Sequence, residues 1–182
     1  ADRSRSYVFL PSDEAEPSQV PLGSFLNGRD LNCQAHLITE ILAPLLMNAG
    51  AIAQERQIEF NVELADGLPT VWVDAKALRE VLNNLLDNAL KYTPSGGWVW
   101  VWVGDRQPIA DATQSPGTRQ AIAIADNGPG IPTEDLTHVF ERHYRGVQSQ
   151  ANIPGTGLGL AIAQELIRLM HGRIEVFSPL ST

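Results

Sequence analysis

"LREVLNNLLDNALKYTPSGG" spans Leu78 to Gly97, and the way it folds decides how the rest of the chain is read. At about 100° per residue, Val81, Leu82, Leu85, Leu86, Ala89 and Leu90 share one arc, the pattern of a helix with a core-facing side. Pro94 stops that helix. Glu80, Asn84, Asn88 and Lys91 fall within roughly 80° of one another on the opposite side. A solvated face is the plain reading of such a stripe. The choice of residue argues against it, because asparagine in a helix interior gives up a good part of the roughly 0.7 kcal/mol propensity range relative to alanine. Amide and carboxylate oxygens one turn apart can hold a hard cation such as Mg²⁺, which prefers oxygen ligands and keeps several waters. The asparagine NH₂ groups and Lys91 can donate to phosphate oxygens.

Working outward, Asp74 is placed to cap this helix, and "TVWV" (70–73) before it reads as a strand. "QIEFNVEL" (57–64) alternates as a strand. From about Leu31 to Gln57 apolar residues recur at helical spacing, interrupted by Pro44. After the helix, "GWVWVWV" (97–103) and "QAIAIAD" (120–126) are strands separated by a loop (104–118). Residues 127–155 read mostly as loop with a short helix around 133–142. "GLGLAIAQELIRLMHG" (157–172) is a helix ended by Gly172, and "RIEVF" (173–177) is a further strand. Residues 1–31 are rich in Pro, Ser, Asp and Glu around an apolar patch at 7–10, which suggests a linker or arm with one short strand. The order implies helices on one face of a mixed sheet.

Composition narrows the class. With 182 residues, 43% of them hydrophobic and 19% charged, the chain can bury a real core. A net charge of −8 without a Lys/Arg block argues against general nucleic-acid binding and against a basic membrane-surface patch. Cys33 is alone, which excludes an internal disulfide and a cysteine-based zinc site. No apolar run approaches the roughly 18 residues a membrane span needs. The first residue is not Met, so a fragment of a longer chain is expected.

Three further segments bear on the site. In "AIAIADNGPGI", Asp126 ends an apolar strand; it is either a turn residue satisfying its own backbone or a buried acceptor for an exocyclic amine such as that of adenine. "PGTGLGLAI" opens the last helix with Gly155, Gly157 and Gly159, where backbone amides and the helix dipole favour an anion. No G-K-[ST], H-R-D or D-F-G is present, which excludes a P-loop and an ordinary protein kinase. In "THVFERHYRG" (137–146), Phe140 reads as a packing anchor, and Arg142 and Arg145 as surface charges or as bidentate phosphate donors.

In this order the segments resemble the catalytic ATP-binding domain of two-component sensor histidine kinases, in the GHKL superfamily that also holds gyrase, Hsp90 and MutL ATPases. The N box is "REVLNNLLDNALKYT", the G1 box "DNGPGI", the F box "VFERHYR" and the G2 box "GTGLGLAI". The resemblance covers about residues 32–177 and implies an α+β, Bergerat-type two-layer α/β sandwich, with a mixed, mostly antiparallel sheet, three helices on one face and an ATP lid at about 127–155. Residues 1–31 would be an arm and 32–182 the catalytic domain. By position, Asn84 would coordinate Mg²⁺, with Glu80 organising metal water and the acceptor side. Asn88, Lys91 and Arg145 would reach the phosphates, and Tyr92 would lie against adenine or ribose. Asp126 would take the adenine amino group, with Gly128, Gly130 and Ile131 shaping that pocket. Gly155, Thr156, Gly157, Leu158, Gly159 and Leu160 would line the phosphate side. Glu80, Asn84 and Arg145 form the implied catalytic set.

The same resemblance implies a γ-phosphate acceptor histidine on a separate dimerisation domain, a response regulator receiver domain downstream, and a cytoplasmic working place with no direct membrane contact, whatever anchors the parent. None of His36, His138, His143 and His171 sits in the acceptor pattern, so this chain alone is not expected to autophosphorylate. Two other classes stay open: an ATP hydrolase or conformational clamp of the superfamily, and a nucleotide-binding module without transfer. The sequence departs from the family pattern in two ways. A closing strand after "RIEVF" is missing or short, as in a truncated chain end. Trp98, Trp100 and Trp102 alternate with three valines, and residues 7–10, or the missing domains of the parent, are expected to cover whichever face the helices do not.

Overall fold

The computed structural model describes residues 4–10, 31–106, 119–146 and 155–178. Strand β1 is Ser4–Leu10, β2 Gln34–Leu37, β3 Glu59–Leu64, β4 Thr70–Val73, β5 Trp98–Arg106, β6 Arg119–Asp126 and β7 Arg173–Phe177. The helices are α1 Ile38–Glu55, α2 Ala75–Tyr92, the single turn α3 Thr133–Leu136, and α4 Gly159–Leu169. Five strands form one sheet in the order β3-β5-β6-β1-β7. Among the described strands the β3–β5 pair is parallel, and β5–β6, β6–β1 and β1–β7 are antiparallel. The architecture is the expected α+β layer arrangement, with α2 packed between α1 and α4.

Helix α2 forms where its pattern requires. Its apolar arc, Leu78, Val81, Leu82, Leu85, Leu86, Ala89 and Leu90, is buried. Asp74 caps it: Oδ1 accepts from the amides of Lys76 and Ala77, both at 2.9 Å. At the other end Thr93, itself buried, donates its hydroxyl to Ala89 O at 2.7 Å, and Pro94 follows. Asp74 Oδ2 also accepts from the amide of Asn32 at 2.8 Å, so one carboxylate fixes a helix start and an incoming chain segment. Burial works against its ionisation, but the amides of Ala77, Asn32 and Lys76 together hold its carboxyl below the ordinary 3.8. Asp74→Ala is therefore expected to lower stability by about 1–2 kcal/mol at neutral pH, the range for losing an N-cap. A carboxyl lowered on folding contributes stability above its unfolded pKa and loses it as pH falls through the lower folded value. Thermal melts of the two proteins should thus converge on acidification below about 3.8, the unfolded value.

Several details differ from the sequence expectation. Residues 34–37 are not the start of α1 but a strand, paired antiparallel with β4 in a separate two-stranded sheet. The helical spacing that begins at Leu37 masks the four extended residues that end at Leu37 itself. The helix expected over 133–142 is one turn at 133–136, and turns follow it. Pro44 lies inside α1, which runs on through it.

The larger difference is at the start of the chain. Residues 4–10, where one short strand of a linker or arm was expected, form β1 inside the main sheet, in register with β6 on one side and β7 on the other. Val8 and Leu10 are fully buried under the helices. Residues 7–10 therefore lie within the sheet and not across the tryptophan face, although register puts Phe9 on that side, next to Ala121. Val99, Val101 and Val103 are buried beneath the helix layer, and Trp98, Trp100 and Trp102 stand on the other face, half-buried. Opposite them β6 presents alanines: Ala125 pairs with Trp100 and Ala123 with Trp102. Those alanines are nevertheless buried, and the Trp102 ring lies where a Cβ on Gly104 would be. Residues 179–182, where a closing strand was expected to be cut short, lie outside the described residues, as do 11–30 and 147–154 of the expected arm and lid.

Candidate functional site

Three elements end at one place. Helix α2 brings its asparagine stripe, β6 delivers Asp126 at its last position, and α4 starts at Gly159. Between them is a cleft of about 490 Å³, within the size range of small-molecule sites. Asn84, Asn88, Lys91 and Tyr92 line it from α2; Asp126, Gly130 and Ile131 from the end of β6 and the turn after it. Arg145 comes from the following loop, and Gly155, Thr156, Gly157, Leu158, Gly159 and Leu160 from the approach to α4. Glu80 and Gly128 do not line it. Glu80 is one turn earlier on α2 and half-buried, and Gly128 acts from behind by donating its amide to Asp126 Oδ1 at 2.9 Å.

The two ends of the cleft differ in chemistry. At the β6 end, register places Asp126 beside Val99 on the helix-facing side of the sheet. Burial pushes its carboxyl above the ordinary 3.8, and the Gly128 hydrogen bond only partly offsets this. A carboxylate that lines the cleft with one oxygen committed to Gly128 suits a single donor on a flat ligand. At the α4 end the first amides of the helix have no side-chain cap and no acidic residue in the first turn. The contrast with α2, closed by Asp74, is direct. Open amides plus the positive end of the dipole make this the anion end of the cleft. Asn84 and Lys91 stand there: the Asn84 amide lies 3.3 Å from where a Gly159 Cβ would be, and Lys91 Nζ 2.8 Å from a Gly155 Cβ. Gly157 holds a left-handed φ of 69°, and a Cβ there would come within 2.8 Å of Tyr144 O, so only glycine fits that approach.

The sequence reading missed part of the wall. Ser6 on β1 and Val176 on β7 line the cleft in one row with Ile124 on β6. Asp135 on α3 and Tyr144 line it as well. Tyr144 donates its hydroxyl to Asp135 Oδ1 at 2.6 Å, which pushes the phenol up to about 12. No signal in composition or spacing marks these residues, because each reaches the cleft through long-range pairing or a side-chain bond across a loop. None of the four histidines lines the cleft. Among the described residues no group of three His, Cys, Asp or Glu side chains could hold a metal, and no helix is long and apolar enough to cross a membrane.

A one-sided sheet, an asparagine-bearing helix and an uncapped glycine-led helix around one cleft make an α/β sandwich with a small-molecule site. Residues 73–181 match the histidine kinase-, DNA gyrase B- and HSP90-like ATPase family, and the chain belongs to it. Within that family it is of the sensor histidine kinase kind. The sensor histidine kinase Hik2 of Synechocystis sp. is 44% identical over 94% of this chain and 36% of its own length. The adaptive-response sensory kinase SasA of Rippkaea orientalis is 39% identical over 70% of this chain and 30% of its own. A solved mycobacterial sensor histidine kinase, MprB, superposes with a TM-score of 0.58 at 34% identity, over 73% of this chain and 78% of that one. The chain thus spans about a third of the length of the curated relatives it matches.

Proposed function

We propose that this domain binds Mg·ATP and donates its γ-phosphate to a histidine on a separate dimerisation domain, from which the receiver domain of a response regulator takes it. The observation that carries the reading is the polarity of the cleft: a partly desolvated carboxylate at one end, and open helix amides beside Asn84 and Lys91 at the other. Asp126 accepts the adenine amino group, a contact that guanine cannot make. Gly130 and Ile131 form the wall of that end, and Tyr92 lies against adenine or ribose. Asn88, Lys91 and Arg145 donate to phosphate oxygens, and the amides of Gly157, Leu158 and Gly159 hold the β and γ phosphates. Phosphoryl transfer asks the protein for positioning and charge neutralisation more than for covalent chemistry.

Asn84 offers a neutral oxygen at the phosphate end, which suits Mg²⁺, an ion that fills most of its shell with phosphate oxygens and water. When bound, the ion neutralises charge between the β and γ phosphates. Glu80, one turn away, orders water on the acceptor side. A domain that draws on ATP in this way works in the cytoplasm. The test is to incubate this chain with Mg·ATP labelled at the γ position and a separately made dimerisation domain of its parent. Label on histidine is expected. Free phosphate without labelled protein would point to a hydrolase, and binding with neither product to a non-catalytic module.

A further inference from the structure

Arg145 stands between two neighbours that meet the same buried carboxylate. Asp135 is 4% exposed. Its Oδ1 accepts from the hydroxyl of Tyr144 at 2.6 Å. Its Oδ2 is buried without a hydrogen-bond partner and lies against Gly146, where a Cβ would overlap it. The residue before Arg145 is therefore held by one oxygen and the residue after it is packed on the other. A buried carboxylate with an unpaired oxygen is unfavourable for stability alone, since a polar group taken from water without a full set of partners costs free energy. We propose that the Asp135–Tyr144 pair is a positioning device that fixes the backbone on both sides of Arg145 and so aims its guanidinium at the phosphate end of the cleft. This rests on the nucleotide reading of the cleft given above. The same loop has a separate tie, the His143 amide to Gly157 O at 2.9 Å, that does not involve the pair.

Calorimetric titration with Mg·ATP and with adenosine tests the proposal. Tyr144→Phe should weaken Mg·ATP about tenfold, the scale of one charge-assisted hydrogen bond misaligned, and leave adenosine within about twofold. Asp135→Asn, which keeps an acceptor for Tyr144, should lie nearer the wild type than Asp135→Ala does. In an Arg145→Ala background, Tyr144→Phe should cost nothing further, because the residue it aims is gone. Equal losses for Mg·ATP and adenosine, or the same loss with and without Arg145, would reduce the pair to an ordinary structural contact and overturn the proposal. Wild-type binding matched by Tyr144→Phe would overturn it alone. A wild-type protein that takes up no Mg·ATP would overturn the nucleotide reading and this inference with it.

Discussion

Asp126→Asn is expected to weaken adenine-nucleotide binding at least about a hundredfold while leaving the nucleotide-free domain more stable at neutral pH, the binding loss being that of a charged acceptor replaced by a donor. The two effects have one cause. Burial raises the Asp126 carboxyl above the ordinary 3.8, against a hydrogen bond from the Gly128 amide. The folded state therefore holds a proton on Asp126 more readily than the unfolded state does. Stability falls as pH rises from the unfolded pKa to the higher folded one, and above that window the charge is a constant cost. Asparagine removes the charge and keeps an oxygen for Gly128. Its melting temperature should exceed that of the wild type at pH 7, and the gain should vanish below about 3.8, where both side chains are neutral. Toward the base, asparagine presents an NH₂ group to an NH₂ group. Calorimetry that found the affinity unchanged would remove Asp126 from base recognition.

Leu10→Ala should lower stability by about 2–5 kcal/mol, the range for truncating a buried leucine. At about 2–4 °C per kcal/mol for a chain of this size, melting should drop by roughly 5–20 °C. Leu10 is fully buried on the helix-facing side of β1, two residues from the equally buried Val8. The effect should reach the cleft as well. Among the described strands β7 pairs with β1 alone, so loosening β1 releases β7 together with the wall residues Ser6 and Val176. Mg·ATP affinity should therefore fall in step with stability. Phe177→Ala, at a side chain 50% exposed at the sheet edge, should stay within about 0.5 kcal/mol of the wild type. A Leu10→Ala protein that melted like the wild type would show that β1 is not a core strand.

Much of this molecule is legible in order along the chain. The arc of α2, its Asp74 cap, the alternation in β5 and β6, and the glycine-led start of α4 are set by neighbours within a few residues. Helical and extended periods follow from local backbone geometry, and so they can be read without knowing the partner. The candidate site was legible in part: Asn84, Asn88, Lys91 and Asp126 fall on elements whose type is set locally and line one cleft, whereas Arg145 reaches it from a loop, and Glu80 and Gly128 do not line it. The part of its wall that the sequence does not announce is the Ser6–Ile124–Val176 row and the Asp135–Tyr144 bond.

By itself, then, the sequence determined the helices and strands that carry the N, G1 and G2 boxes and which side of α2 is buried, but not the turns of the F box. Only the tertiary structure decided that Tyr7-Val8-Phe9-Leu10 is a central strand, that residues 34–37 pair with β4, and that the valines of β5 face inward. Each depends on a partner far away in sequence. Tyr7 pairs with Ala123 across 116 residues, and no local propensity encodes that register. An apolar stretch signals that it must be buried; what buries it is settled only when the whole chain competes for the same interior.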